Sequence, residues 1–393
     1  MKHIELKKLF PFFFLLLLSS GSFAQEAEIV TKLNTIIKPI HTLSPDGSFD
    51  DIDFLGEVLQ EKKIVALGEA THGTREIFDY KDRLVRYLVA KLNYKAITFE
   101  ADFSGLEAID NYINGKTDSA IIGNNHKPLF NWLKDFNKDK TEQDKVHVYG
   151  LEIREFSLAI DRILSLNWNI SQQDQTILLG IRNTPFEKID KQSLADLKKV
   201  CTRLPVNVYT KMLLQLIDNY QNFIGIKSKI GVRDKFMAEN AIALAEGIPN
   251  SKLIIWAHNG HVAKSALYNK PTMGQYLFKQ YGSQYHVMAT DINKGYVSVR
   301  TVVAKTKSFS STQPLYLPEV STDKGYEYYF SQCKFKNFIL AINKATVDYQ
   351  LRSFFTQQKE MRMIGGTSTP LNKKLAISTH FDTIIFFNET NSL

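Results

Sequence analysis

Cysteine is nearly absent from this chain: Cys201 and Cys333 are the only two among 393 residues. Two thiols so far apart make neither a disulfide framework nor a cysteine-rich zinc cluster. The sequence leaves open whether they are bonded to each other. No H-E-x-x-H run occurs, which removes the commonest helical zinc motif. No G-x-S-x-G elbow occurs, so the usual serine-esterase arrangement has no support. There is no glycine-rich phosphate loop. Lysine and arginine are scattered singly and in pairs and form no stripe, so the formal charge of +8 does not point to nucleic acid. After the first two dozen residues, no apolar run is long enough to cross a bilayer.

Those first residues have a different use. Lys2, Lys7 and Lys8 precede the apolar stretch Leu9 to Leu18, and Ser22-Phe23-Ala24 follows with small residues at both ends. This is the pattern of a secretory signal peptide covering residues 1–24, too short for a lasting anchor. Without it the formal charge falls to +6, since three lysines and one glutamate leave with it. Export to the periplasm or the medium is therefore expected, with no stable membrane anchor. Residues 25–393 are long enough for one large domain with a sizeable core.

Four short apolar runs each end in an ionisable residue. Ile64 to Gly68 leads into Glu69, Ala96 to Phe99 into Glu100, Val148 to Leu151 into Glu152, and Leu253 to Ala257 into His258. Runs of this kind are strands buried on both faces. They alternate with helical patterns such as Thr74 to Leu92, which Asn93 stops. The fold class expected is α/β, a mostly parallel sheet flanked by helices. Further strands are expected at 286–290, 296–302, 337–342 and 383–387, and an irregular flap from Thr312 to Tyr329. Residues 156–248 have no convincing strand. Their apolar residues recur at helical spacing, as in Leu194, Leu197 and Val200, and later Met212, Leu213, Leu216 and Tyr220. They form a helical insertion between core strands, suited to cap the rim.

In open α/β sheets, ligands bind beyond the carboxyl ends of the strands. Carboxylates and imidazoles delivered to that rim therefore make a candidate site. Glu69 is followed three residues later by His72, and His258 three residues later by His261. A histidine beside a carboxylate is a natural general base near neutral pH, its reference pKa being about 6.5. Either histidine of the second pair could stabilise an oxyanion or protonate a leaving alcohol. Any one of these residues alone is a weak signal, since a carboxylate can simply cap a helix. Two spaced pairs at strand exits outweigh that reading. Glu152 is the weakest member, because Arg154 stands close enough to form a structural ion pair. His126, His147, His286 and His380 lack such context and are taken as structural or surface residues. From composition, a metal could still be held by Glu69, His72, Glu100, His258 and His261. A binding protein that captures a ligand through its histidines without turnover is the other alternative.

Six stretches then carry a resemblance. They are the run from Val65 to Thr74, Thr98-Phe99-Glu100-Ala101, Trp132-Leu133 with Phe136-Asn137, Arg233 to Asn240, Ala257 to His261, and Met273-Gly274-Gln275. In this order, over about residues 60 to 300, they resemble the erythromycin esterase family, with a weaker echo at Phe381 to Phe386. The resemblance implies hydrolysis of an ester, the macrolactone of an erythromycin-type macrolide, by activated water. It implies no metal and no other cofactor, and macrolide inactivation and antibiotic resistance as the setting. His72 resembles the general base, with Glu69 its neighbour, Glu100 the strand-end carboxylate, and His258 and His261 the second histidine pair. Lys81 and Asp234 are the expected substrate-binding residues. The chain departs from the family at Lys81, where members that open macrolactones can carry arginine, whose planar fork lysine lacks. The expected partner is a small ester or lactone. The natural substrate and the oligomeric state are not legible.

Protein recovered from the periplasm or medium is expected to begin near Gln25, which N-terminal sequencing would read. Full-length chain confined to the cytosol would contradict the signal peptide.

Overall fold

The computed structural model describes residues 25–393 except 153–155, 167, 185–187, 207–213, 215–216, 219–230, 249–251, 268, 304–307, 343–347 and 368–370. Residues 1–24, expected to be a signal peptide, Arg154, and Met212, Leu213, Leu216 and Tyr220 of the insertion pattern all lie outside the described residues. No helix among the described residues is long and apolar enough to cross a membrane.

Eleven strands are described. They are β1 (Lys38–Pro39), β2 (Ile64–Glu69), β3 (Ala96–Asp102), β4 (His147–Glu152), β5 (Leu253–His258), β6 (Tyr285–Val303), β7 (Ser308–Leu317), β8 (Asn337–Ala341), β9 (Lys359–Met363), β10 (Leu371–Leu375) and β11 (Thr383–Thr390). Nine form one sheet in the order β1-β8-β11-β6-β2-β5-β3-β4, with β7 added along β6. The pairs β11 to β6, β6 to β2, β2 to β5, β5 to β3 and β3 to β4 are all parallel. β1, β7 and β8 run antiparallel to their neighbours. The fold is thus α/β with a mixed, mostly parallel sheet flanked by helices.

The pattern of burial follows from the sheet. Every residue of β2 and β5 is buried, as parallel strands covered on both faces must be. One apolar cluster packs on one face, with Met237, Ala241, Leu244 and Leu277 among its members. The other face carries Ile77, Tyr80, Leu84 and Leu88 of the helix Arg75–Leu92. That helix ends at Asn93, whose φ of 58° is the left-handed stop its sequence announced.

Two expectations are corrected. The strands expected at 286–290 and 296–302 are one long strand, β6. Gly295, at φ 116°, carries the chain through the polar stretch between them, and its Cα lies against Thr390, where a Cβ would meet the carbonyl at 2.1 Å. The expected flap from Thr312 to Tyr329 is instead β7 followed by a helix at Tyr326–Ser331. Pro314 is tolerated because β7 pairs only with β6, so no second partner needs its missing N–H. The possible disulfide is absent: Cys201 and Cys333 are both free and buried. They belong to different apolar clusters.

Between β4 and β5 the described residues are helical: Phe156–Ser165, Gln172–Arg182, Lys191–Arg203 and Val232–Gly247. The first three share a small core of their own, built on Ile160, Leu178, Leu194, Leu197 and Val200. Val232–Gly247 instead packs on the main core and brings its first turn to the sheet rim.

Gly73 ties the loop after β2 to β6. Its carbonyl accepts the Ser298 N–H at 2.8 Å, and a Cβ on it would stand 2.0 Å from the Ser298 carbonyl oxygen. Both contacts are backbone, so neither can move aside cheaply. Gly73→Ala is expected to destabilise the fold by about 1–3 kcal/mol, the usual cost of overpacking, read as a lowered melting temperature.

Candidate active site

Parallel register puts the carboxyl ends of β2, β5, β3 and β4 on one rim, with Glu69 beside His258 and Asp102 beside Glu152. The β3–β4 register shifts between Phe99 and Asp102, where Glu100 lies. An irregularity of this kind re-aims a side chain at a sheet's end.

Glu69 is almost fully buried, and its carboxylate is surrounded by donors. Oε2 accepts from Lys81 Nζ at 2.6 Å and from the Trp256 indole N–H at 2.8 Å. Oε1 accepts from His72 Nδ1. Burial alone would raise this carboxyl; the Lys81 charge, then His72, hold it far below the ordinary range, so it is ionised. An ionised carboxylate only accepts, so the proton of this contact sits on Nδ1 of His72. Nε2 is then the basic nitrogen. The His72 side chain is 42% exposed and lines a cavity of about 820 Å3 shared with Glu100, Asn124, Asn125, Arg300 and Thr367. For His72, burial opposes the charged form, but the Glu69 hydrogen bond and the charges of Glu69 and Glu100 outweigh it. Its pKa is raised above 6.5.

His258 is built differently. The Gly260 N–H donates to Nδ1 at 3.0 Å, and Nε2 lies 3.1 Å from the Ala70 carbonyl. The first contact requires a bare Nδ1 and the second a protonated Nε2, so the ring is neutral with both nitrogens engaged by backbone. Burial, followed by the charge of His72, pushes it down to about 4. Its ring centroid is 5.5 Å from that of His72. His258 thus fixes the turn after β2 to the turn after β5; it has no nitrogen turned to the cavity for a proton transfer.

His261 completes a charge network. Nδ1 is 2.8 Å from Asp234 Oδ1, and Nε2 is 3.3 Å from Glu100 Oε1 and 2.9 Å from Arg233 Nη1. At Nε2 the arginine contact asks for a bare nitrogen and the Glu100 contact for a protonated one; at Nδ1 the Asp234 contact asks for a proton. Against burial, Glu100 and then Asp234 raise the ring to about 10. We favour the imidazolium, because the guanidinium charge is already committed to carboxylates. Arg233 donates through Nε and Nη2 to Glu152, each at 2.6 Å, and through Nη2 to Glu100 at 2.7 Å. Glu100 also accepts the His258 N–H at 2.9 Å. Burial would raise its carboxyl; His261 and Arg233 hold it well below the usual range.

The structure therefore gathers Glu69, His72, Glu100, His258 and His261 on one rim. Lys81 and Asp234, expected to touch the substrate, are placed behind it. The Lys81 side chain is 0% exposed, with Nζ on Glu69 and 4.3 Å from the centre of the Trp256 ring. Burial lowers it to about 8. Asp234 is also buried and accepts from His261 Nδ1 and from the Met273 N–H at 2.9 Å. Glu152 pairs with Arg233. Arg233 and Trp256 carried no role in the sequence, although Arg233 stands beside Asp234 in a stretch that drew notice. His147 contacts Asp110 and His286 contacts Thr383, away from the rim. His126 is packed among Phe78, Phe99, Phe130 and Trp256, and burial lowers it to about 4. Among the described residues, no three His, Cys, Asp or Glu side chains converge as metal ligands. A second cavity, of about 430 Å3, lies elsewhere, between Glu26, Asp323, Tyr349 and Gln357.

The family model described as Erythromycin esterase matches residues 89–200 and 207–390. The chain belongs to the erythromycin esterase family. The match takes in Glu100, Glu152, Arg233, Asp234, His258 and His261 and begins beyond Glu69, His72 and Lys81. Among curated relatives, erythromycin esterase type II of Escherichia coli is 25% identical over 286 residues, 58% of this chain and 67% of that protein. A solved Bacillus cereus protein superposes with a TM-score of 0.79 at 22% identity, over 93% of this chain and 98% of that one. An erythromycin esterase mutant solved in its open conformation gives a TM-score of 0.62 at 15% identity, over 90% and 97%. At these identities the solved structures speak for the fold alone.

Because Lys81 opposes the charge on His72, its removal is expected to raise the His72 pKa further. It also strands a buried carboxylate. Lys81→Met should lower stability by about 3–5 kcal/mol, the cost of breaking a buried pair. In nuclear magnetic resonance titration, the His72 midpoint of the wild type should lie above 6.5 and that of the variant higher still. A midpoint unmoved in folded Lys81→Met would contradict the coupling.

Proposed function

We propose that this protein hydrolyses a carboxylic ester with water activated by His72. The observation that carries the reading is the dyad at the cavity: His72 on Glu69, with that carboxylate fixed by Lys81 and Trp256. Nε2 takes a proton from water as the oxygen attacks the ester carbonyl. The imidazolium formed is stabilised by Glu69. It returns the proton to the alkoxide as the carbon–oxygen bond breaks, so acid and alcohol leave and the base is restored. No covalent acyl-enzyme is required. His261, Glu100, Arg233 and Glu152 form a fixed charged floor beneath this chemistry, and His258 its tether. Family membership supports the hydrolase reading, and the esterase named among the curated relatives supports an ester or lactone as its target.

A metal-dependent reaction by the same residues finds little support in the donor set. Both nitrogens of His258 and both of His261 are engaged by protein groups, and the Glu69 and Glu100 carboxylates by cations and N–H groups. Excess chelator is expected to leave hydrolysis unchanged. Loss of rate that zinc or manganese restores would overturn that.

His72→Gln should lower kcat by about two to four orders of magnitude, the usual worth of a positioned proton transfer. KM should change little, because the proton acceptor acts mainly in the transition state. The wild-type rate should rise with pH through a midpoint above 6.5, since the raised pKa keeps His72 protonated longer. The sign for stability is the opposite. The raised pKa contributes stability that is full below about 6.5 and is lost as pH rises through the folded value. Kinetics and thermal unfolding on the same samples separate the roles. Folded His72→Gln with near-wild-type turnover would end the assignment.

A further inference from the structure

Two buried carboxyls take no part in the proposed chemistry. Asp291 lies in β6 and Glu327 in the helix Tyr326–Ser331, and they are 0% and 1% exposed. Their side chains are hydrogen-bonded to each other. Ionised carboxylates only accept, so a bond between two of them needs a proton on one. Asp291 Oδ1 accepts the Ile292 N–H at 2.9 Å, while no N–H or hydroxyl among the described residues reaches the buried Oδ2. Glu327 Oε1 accepts the Arg362 backbone N–H at 2.6 Å. Among the described residues, the other ionisable groups beside the pair are Arg362 of β9 and Tyr326 of the same helix. At the facing register position β11 presents Phe386, which carries no charge. Burial, then the charge of Glu327, pushes the Asp291 carboxyl well above the usual carboxylate range, and burial raises Glu327 too. With one proton the pair carries one negative charge, matched by the Arg362 guanidinium. Without it, two negative charges would face that one cation away from solvent.

Both ends of this pair adjoin the residues that hold the turn carrying His72. Thr290, the neighbour of Asp291, accepts the Ala70 N–H on its hydroxyl at 2.9 Å. From Arg362 the chain runs through Met363 to Ile364 and Gly365, whose N–H groups both donate to the Ala70 carbonyl, at 2.9 and 3.1 Å. The Thr71 hydroxyl donates to the Gly365 carbonyl at 3.0 Å. Gly366 follows, and a Cβ on it would stand 3.4 Å from the His72 ring. Ala70 and Thr71, the two residues before His72, are thus gripped from β6 on one side and from the end of β9 on the other. The bonds from Asp291 to Glu327 and from Glu327 to Arg362 close the two grips into one frame.

We propose that Asp291 and Glu327 share one proton and are positioning residues for His72, whose turn they hold in place only while that proton is present. The inference rests on His72 as the base of the proposed hydrolysis. Loss of the proton sets two like charges against each other in the core. β9 then draws away from β6, and the segment Ile364 to Gly366 releases the turn. Hydrolysis is limited at both ends of the pH scale: it rises as His72 loses its proton and falls as the pair loses its own.

The test compares the mature protein with Asp291→Asn and Glu327→Gln. An amide donates to the remaining carboxylate and does not give up its proton, so each variant fixes the pair in its protonated arrangement with one negative charge. Infrared difference spectra across the alkaline range should show a carboxylic-acid carbonyl band that the wild type loses and both variants lack. In nuclear magnetic resonance titration, the wild-type His72 ring should show an alkaline inflection at the same midpoint, absent from both variants. With a p-nitrophenyl ester as substrate, kcat one pH unit above that midpoint, relative to its plateau, should be about tenfold higher in the variants than in the wild type. Lys81, lowered by burial to about 8, and His261, raised against burial by Glu100 to about 10, also titrate there. They do so in all three proteins, so the difference isolates the pair. An alkaline His72 inflection or rate loss unchanged in both variants would overturn the inference, as would a wild type without the acid band. Should neither variant fold, the wild type decides: an acid band and a His72 inflection with one midpoint uphold it, and separate midpoints refute it. If no ester turns over, the hydrolase reading fails by itself, and the two spectra still judge the pair.

Discussion

The buried ion pair between Glu69 and Lys81 is the constraint on which the site depends. Two opposite charges, 2.6 Å apart and shielded from solvent, lie at the end of a central strand. Such a pair is poor value for stability, because desolvation offsets most of the attraction. Its use is positional. With Oε2 occupied by Lys81 and by the Trp256 indole, the carboxylate has one oxygen left for His72. That fixes the ring's tautomer and leaves Nε2 as the nitrogen that can act. The same cation restrains the His72 pKa, which two nearby carboxylates push upward. A base that is stabilised as an imidazolium, but not locked there, follows from this balance.

The second network works on the same principle with more members. Arg233 spans Glu152 and Glu100, Glu100 holds the His258 N–H, and Asp234 holds His261. Its parts come from β3, β4, the turn after β5 and the first turn of Val232–Gly247. Among the described residues, three carboxylates (Glu100, Glu152 and Asp234) face two cations (Arg233 and the His261 imidazolium), so the floor keeps one negative charge in excess. Such a set moves as a unit, since removing one member leaves another buried and unpaired.

What the sequence made legible was the backbone. Short apolar runs ending in Glu69, Glu100, Glu152 and His258 gave the parallel strands and the rim, because side-chain period and burial are local properties. Asn93 marked a helix end for the same reason. The partners were not legible. Glu152 pairs with Arg233, 81 residues away, a partner no local pattern announces. Nothing local separates a lysine that reaches a cavity from one that turns inward, so Lys81 read as a substrate contact. His258 and His261 looked equivalent, and only the hydrogen bonds at each nitrogen distinguish a neutral tether from a charged one. The length of β6 was hidden by its own polar middle, which resembles a turn until the parallel partner β11 is present to satisfy it.

A division of labour follows. The groups behind His72 are largely buried and mutually paired, and they come from strand ends and from the helices packed beside them, so few substitutions there leave the rest undisturbed. Along β6 and β7 the cavity wall is held by backbone pairing; Ser298 and Val299 there are buried, while Arg300 and Thr312 are exposed. A change of side chain at the exposed positions leaves the backbone hydrogen bonds that hold this wall beside His72 in place. On the proposed reading, substrate choice can therefore drift within one fold while His72 and its support stay fixed. For the same reason, membership of the erythromycin esterase family constrains the reaction more tightly than the molecule on which it is performed.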